Sequence, residues 1–224
     1  MRAKLIFVYS VTMLLFGTGA LYGNVKGTLD LESGWYPAGT NVTVTATPDP
    51  YYYVAWQGDK EGDYIDGNEF TFTVDGPRSV GAEFKPEVTE TNSVPLWWLA
   101  QLDPDREDWT PEDFEAFASS PLVAGGMTIW EAYLTGQNPE DANARFEIGR
   151  VHIVDGKIRL EWSHAEGAPN LPQVYIEFRE SLMDGDWSRV GDPLQVSDGP
   201  NTWAPENEEG AGLPGYYRLS VDIP

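Results

Sequence analysis

A period of two recurs from Asn24 to Phe84 and constrains the fold more than any other feature of the chain. Val42, Val44 and Ala46 alternate with Thr43, Thr45 and Thr47. Phe70, Phe72 and Val74 alternate with Thr71 and Thr73, and Val80, Ala82 and Phe84 alternate with Gly81 and Glu83. Successive side chains of an extended chain point to opposite faces, so each run predicts a half-buried strand. Gly39, Pro48-Asp49-Pro50, Asp66-Gly67-Asn68 and Asp75-Gly76-Pro77 supply the turns. Four or five short strands in so little sequence predict a compact β module over residues 24–86.

The rest of the chain divides by changes of period and polarity. Residues 87–93 are polar and nearly free of bulky apolar side chains, which predicts a linker. Residues 94–144 switch to helical spacing. Val94, Trp97, Trp98 and Leu102 fall at i, i+3, i+4 and i+8. Thr110-Pro111-Glu112-Asp113 has the form of a helix start, with Thr as N-cap, Pro at N1 and acids in the first turn, and Phe114, Phe117 and Ala118 continue one face. Ile129, Trp130, Tyr133 and Leu134 form a third segment, stopped by Gly136 and Asn138-Pro139. Three short helices with packed aromatic stripes are expected. From residue 145 to 224 the period returns to two at Ile158, Leu160 and Trp162, at Val174, Ile176 and Phe178, and at Tyr217, Leu219 and Val221. With Trp187 and Trp203 this predicts a small antiparallel sandwich. The fold class is therefore mainly β with a short helical insert: a small β module, a helical connector and an antiparallel β-sandwich.

Residues 1–23 stand apart. Arg2 and Lys4 precede an almost wholly apolar run from Leu5 to Phe16, and small residues follow from Gly17 to Gly23. The run is about 12 residues, short of the ~20 that span a bilayer, so it reads as a cleavable signal peptide. The chain is expected to be exported: periplasmic, cell-surface or extracellular. The formal net charge is −22, from 14 basic and 36 acidic residues. Binding nucleic acid needs a cationic footprint, and anionic lipid repels such a charge, so neither nucleic acid nor, after signal cleavage, a membrane is an expected partner. The absence of cysteine removes disulfides, thiolate metal sites and a thiol nucleophile. Stability must come from apolar cores, to which nine Trp, nine Phe and eleven Tyr contribute.

Gly34-Trp35-Tyr36-Pro37-Ala38-Gly39-Thr40-Asn41, the Thr-alternating strand after it, Tyr53-Val54-Ala55-Trp56-Gln57-Gly58-Asp59 and the closing Val80-Gly81-Ala82-Glu83-Phe84 resemble one copy of the divergent internalin-B-type repeat. That resemblance implies a small all-β spacer or adhesive unit of an exported bacterial protein. Trp130-Glu131-Ala132-Tyr133-Leu134-Thr135-Gly136-Gln137-Asn138-Pro139 resembles the helix of a calcium-loop module of exported proteins of the Verrucomicrobia and Kiritimatiella type. Where that pattern has oxygen ligands, this chain has Pro121, Val123, Gly125 and Ala132. Calcium takes six to eight oxygens, so the loop is expected to hold no metal and to pack through Leu122 and Val123 instead. Leu160-Glu161-Trp162, Tyr175-Ile176-Glu177-Phe178-Arg179 and Tyr216-Tyr217-Arg218-Leu219-Ser220-Val221 resemble strands of a fibronectin type III-like module.

Catalytic patterns are not found. His152 lies out of phase with Val151 and Ile153, which places it toward solvent, and His164 follows Trp162 in a polar stretch read as a loop. Neither has metal-ligand spacing. No nucleophile elbow, Walker loop or dinucleotide fingerprint occurs, and no cofactor is implied. Acid pairs such as Glu112/Asp113 and Glu140/Asp141 are frequent, but glycoside hydrolysis needs carboxylates on opposite walls of a cleft, which sequence proximity does not create. Aromatic residues are the better binding candidates. With Trp56 in the core, Tyr51 and Tyr53 face the other way on the same strand, flanked by Asp59 and Asp63. Exposed rings beside acids suit the stacking and hydrogen bonding of sugars. The expectation is a non-catalytic modular protein with a carbohydrate or protein partner. The alternatives are a polysaccharide-acting hydrolase with an unrecognised carboxylate pair and a passive envelope spacer.

Overall fold

A computed structural model describes residues 26–30, 36–58, 63–76, 80–165, 172–183, 185–205 and 215–222, so the apolar segment 1–23 lies outside the described residues. The described residues are mainly β and form two compact units. The first gathers those up to Val88 together with Pro95–Gln101, and the second gathers Thr89–Val94 and those from Leu102 onward. The division differs from the boundaries expected near residues 86, 93 and 144. Leu96 N–H bonds the Glu87 carbonyl at 2.9 Å and Val88 bridges to Pro95, so the start of the first helix stays with the first unit rather than with the other two helices.

In the first unit, β1 (Gly27–Leu29), β2 (Asn41–Pro48), β4 (Tyr64–Asp66) and β5 (Glu69–Thr73) form an antiparallel sheet in the order β1-β2-β5-β4. The remaining strands, β3 (Tyr52–Gly58) and β6 (Val80–Pro86), pair as a separate antiparallel ribbon. The alternation read from the sequence decides what each face does. Val42, Val44 and Ala46 join Phe70, Phe72, Val74, Val80 and Trp56 in one buried cluster. Thr43 and Thr71 hydrogen-bond through their hydroxyls at 2.8 Å on the wet face. Trp56 ties the ribbon to the sheet: its ring lies 5.5 Å from Phe70, and its Nε1–H donates to the Gly67 carbonyl at 3.1 Å. Gly27 is required by packing, because a Cβ there would stand 2.5 Å from the Phe84 ring. The helix α1 (Leu96–Leu102) buries Trp98 and Leu99.

In the second unit, α2 (Pro111–Ala118) begins at the Thr N-cap and Pro N1 expected from its sequence, and the structure closes a full capping box there. Thr110 Oγ1 accepts from Asp113 N–H at 3.2 Å, and Asp113 accepts from Thr110 N–H at 3.0 Å. Trp109 stacks on Phe114 at 4.5 Å and meets Phe117 at 5.2 Å, and the Arg106 guanidinium lies 4.4 Å from its ring centroid. The loop to α3 (Ile129–Thr135) keeps a closed shape. Pro121 bridges Thr128, Gly126 N–H bonds the Val123 carbonyl at 3.0 Å, and Ile129 N–H bonds the Ser120 carbonyl at 2.9 Å. Leu122 and Val123 are half-buried there. Gly136 ends α3 in the left-handed conformation.

Two three-stranded sheets follow. One is ordered β11-β8-β7, from β7 (Arg150–Val154), β8 (Lys157–His164) and β11 (Gly199–Trp203). The other is ordered β10-β9-β12, from β9 (Val174–Arg179), β10 (Ser188–Arg189) and β12 (Tyr216–Val221). Leu160 and Trp162 from the first meet Val174 and Ile176 from the second in a common core. Ala165 N–H bonds the Gly136 carbonyl at 2.9 Å and Gln137 Nε2 donates to the Ser163 carbonyl at 3.0 Å, fixing the end of α3 to β8.

Both histidine expectations need correction. His164 is not in a loop. It ends β8 in phase with Leu160 and Trp162, is 4% exposed, and stacks on Phe146 at 6.4 Å. His152 is half-buried, with Nε2 3.3 Å from Glu161 Oε1, while its neighbours Val151 and Ile153 are 57% and 76% exposed. β7 is an edge strand, and among the described residues nothing covers the side that carries those two.

Candidate functional site

The β3–β6 ribbon has two faces. Val54 and Trp56 point into the core, so Tyr53, Ala55 and Gln57 point out. Residues directly opposite in an antiparallel pair share a face. Tyr53 stands opposite Lys85, Ala55 opposite Glu83 and Gln57 opposite Gly81. The Tyr53 ring, 48% exposed, therefore rises at one end of a shallow strip floored by Ala55 and Gly81. A polar chain runs along the strip: Gln57 Nε2 donates to Glu83 Oε2 at 3.1 Å, and Lys85 Nζ lies 3.6 Å from that same oxygen. On the inward side Lys26 Nζ sits 5.4 Å from the centroid of the Tyr52 ring. Burial, then the nearby Asp49 charge, pushes the Tyr52 hydroxyl above its ordinary value.

The residues singled out from the sequence are placed as follows. Tyr53 lies on the outer face as expected. Tyr51 does not share it in strand register. Tyr51 is a turn residue before β3, with φ +66° and a half-buried side chain, and its carbonyl accepts Glu87 N–H at 2.8 Å. A left-handed residue breaks the strict alternation that the sequence argument assumed. Asp63 immediately precedes β4, in the other sheet, and is half-buried. Asp59 lies outside the described residues. Gln57, Glu83 and Lys85 were not anticipated. The alternation of Val80 to Lys85 gives their face, but only the pairing of β3 with β6 brings them beside Tyr53.

The second unit holds a groove of about 540 Å³ on the outer face of the β11-β8-β7 sheet. Glu147 and Glu161 both line it, with Arg145 and Arg150. The Glu161 carboxylate is already approached by Arg150 at 3.9 Å and by His152 at 3.3 Å. No group of three or more metal-ligand-type side chains occurs among the described residues, and no described helix is long and apolar enough to cross a membrane.

The fold is thus that of a modular β protein with an open polar-aromatic face on its first module. Residues 18–88 match the family model of the divergent InlB B-repeat domain, a bacterial repeat-type domain typically extracellular or surface-borne. No curated protein and no solved structure gives a match to the chain.

Proposed function

We propose that the chain is an exported, non-catalytic modular protein that binds an extracellular carbohydrate through the outer face of the β3–β6 ribbon. The observation that carries this reading is the exposed Tyr53 ring beside the Gln57–Glu83–Lys85 chain. An aromatic ring offers an apolar face to the C–H side of a sugar. The adjacent amide, carboxylate and ammonium supply donors and an acceptor to its hydroxyls. The repeat-type match over residues 18–88 supports a place outside the cytoplasm. The two-sheet sandwich, with first, second and fifth strands in one sheet and third, fourth and sixth in the other, supports a fibronectin type III-like second module. A combined glycan and protein array tests the reading. Glycan binding that is lost in Tyr53→Ala is expected. Binding to protein spots alone would replace the carbohydrate with a protein partner, and silence across the array would leave a spacer.

The hydrolase reading has one observation in its favour, the groove lined by Glu147 and Glu161. It requires polysaccharide cleavage that disappears in both Glu147→Gln and Glu161→Gln. The proposal expects no cleavage by the unmodified protein.

A further inference from the structure

Positive charge collects on one face of the second unit. Residues 145–159 hold Arg145, Arg150, Lys157 and Arg159 against only Glu147 and Asp155, in a chain whose formal net charge is −22. Leu160 and Trp162 of β8 point into the core, so Lys157, Arg159, Glu161 and Ser163 point out. Residues opposite one another in the ladder share that outer face. Arg150 and Thr202 flank Glu161 on either side, and His152 stands opposite Arg159. Arg150, Arg159 and Lys157 therefore form a cationic track along the β7–β8 hairpin, with steps of about 7 Å set by strand geometry. Among the described residues, no ion pair or hydrogen bond engages the side chain of Lys157 or Arg159. The Arg150 side chain is 70% exposed and lies 3.9 Å from Glu161, a loose pair that a ligand carboxylate can replace at little cost.

The track leads into the groove of about 540 Å³ between this face and residues 137–149. Gln137 closes one wall: it is 8% exposed and its Nε2 is held by the Ser163 carbonyl at 3.0 Å. Arg145 stands at the rim. Its Nη1 donates to the Ala142 and Ala144 carbonyls at 3.1 and 2.6 Å, which fixes the guanidinium and leaves Nε and Nη2 for a ligand. Ser163 and Thr202 are exposed on the floor, and no described residue bonds their hydroxyls. We propose that this face binds an acidic polysaccharide, with one uronate sugar seated in the groove and the chain following the Arg150–Arg159–Lys157 track. The volume lies in the range of small-ligand sites. Guanidinium forks match carboxylates, and the Ser163 and Thr202 hydroxyls match those of a sugar. The outward residues include no Phe, Trp or Tyr on which bases could stack, so sugars suit the face better than a nucleic acid strand. At physiological salt charges act over about 8 Å, so the track outweighs acids elsewhere in the chain. The site lies in the second unit and does not depend on the β3–β6 ribbon. Glu83 at the centre of the ribbon strip disfavours a ligand carboxylate, so uncharged glycans report on the ribbon and acidic ones on this face.

Calorimetric titration of the full chain with an oligogalacturonate tests this, with a galactan oligosaccharide of the same length as the uncharged comparison and poly-glutamate as a carboxylate polymer without sugar. The oligogalacturonate is expected to bind saturably, and the other two much more weakly or not at all. Arg150→Gln and Arg159→Gln should each weaken binding about tenfold or more, since each removes a charge-assisted contact. Both side chains are exposed, so the thermal midpoint should hold. Tyr53→Ala should leave this binding unchanged, which separates the site from the ribbon. No binding of the oligogalacturonate overturns the proposal. So does equal binding of the galactan or of poly-glutamate, or an affinity that neither arginine substitution reduces.

Discussion

Replacing Trp56 by Phe probes the joint between the candidate face and the sheet beneath it. Trp56 is 6% exposed, contacts Phe70 at a centroid distance of 5.5 Å and donates Nε1–H to the Gly67 carbonyl at 3.1 Å. Gly67 is an exposed turn residue, so water can take over its carbonyl, and the lost hydrogen bond costs about 1 kcal/mol. Truncating indole to phenyl removes part of a buried ring, with a transfer and cavity cost of about 1–2 kcal/mol when scaled from full Trp or Phe truncation to Ala. The sum is about 2–3 kcal/mol, a large share of the stability of a module this small. It corresponds to a fall of roughly 10–20 °C in the midpoint of the first unit. Differential scanning calorimetry gives the midpoint, and hydrogen exchange locates the effect. Amides of β2, β3, β5 and β6 should lose protection while those of β8 and β9 keep theirs. A change under about 0.5 kcal/mol, or equal loss of protection in both units, would refute the account of Trp56 as the joint.

Asp113 titrates at about 2, held down first by the Thr110 hydroxyl, then by Arg106 and the Thr110 backbone N–H. Its folded value lies below the ordinary 3.8, so the stabilisation is present above 3.8 and is lost as pH falls through about 2. Hydrogen exchange at α2 should follow that window, and Asp113→Asn should remove the dependence. His164 is held below the ordinary 6.5, chiefly by burial, against the opposing effects of the Ser197 backbone and the Asp198 charge. The unfolded chain therefore takes up the proton first, and the second unit should be fully stable above pH 6.5 and lose stability below it. Melting curves of His164→Phe, which keeps an aromatic contact to Phe146, should lack that decline. Calcium titrated into the protein at millimolar concentration should give no stoichiometric heat and no thermal stabilisation, and either would contradict the reading of the 121–132 loop as one that has lost its ligands.

What the sequence revealed and what it hid follow one line: local signals were readable, and long-range pairings were not. The Thr-Val alternation of β2 and the Thr-Phe alternation of β5 specify their own buried faces, and Thr110 through Asp113 specifies the start of α2. None of these says that β3 leaves its sequence neighbours and pairs with β6. That long-range choice puts Glu83 and Lys85 beside Tyr53 and Gln57. Tyr51 looked like strand because its neighbours are strand formers, but a positive φ places it in the turn that lets β3 begin. His164 looked like loop because polar residues surround it. Its phase with Trp162 decides otherwise. Val151 and Ile153 carry a core-facing pattern, yet edge position leaves them exposed, since a periodic pattern fixes a face and not what covers it.

The central claim is that the outer face of β3 and β6 is an interaction surface for carbohydrate. Calorimetric titration of the strongest glycan from an array into the unmodified protein, Tyr53→Ala and Gln57→Ala tests it most directly. The account predicts saturable binding by the unmodified protein, loss of detectable binding in Tyr53→Ala, and weakening in Gln57→Ala. The midpoints of thermal unfolding should stay unchanged, because both side chains are exposed. Undiminished binding by Tyr53→Ala would contradict it.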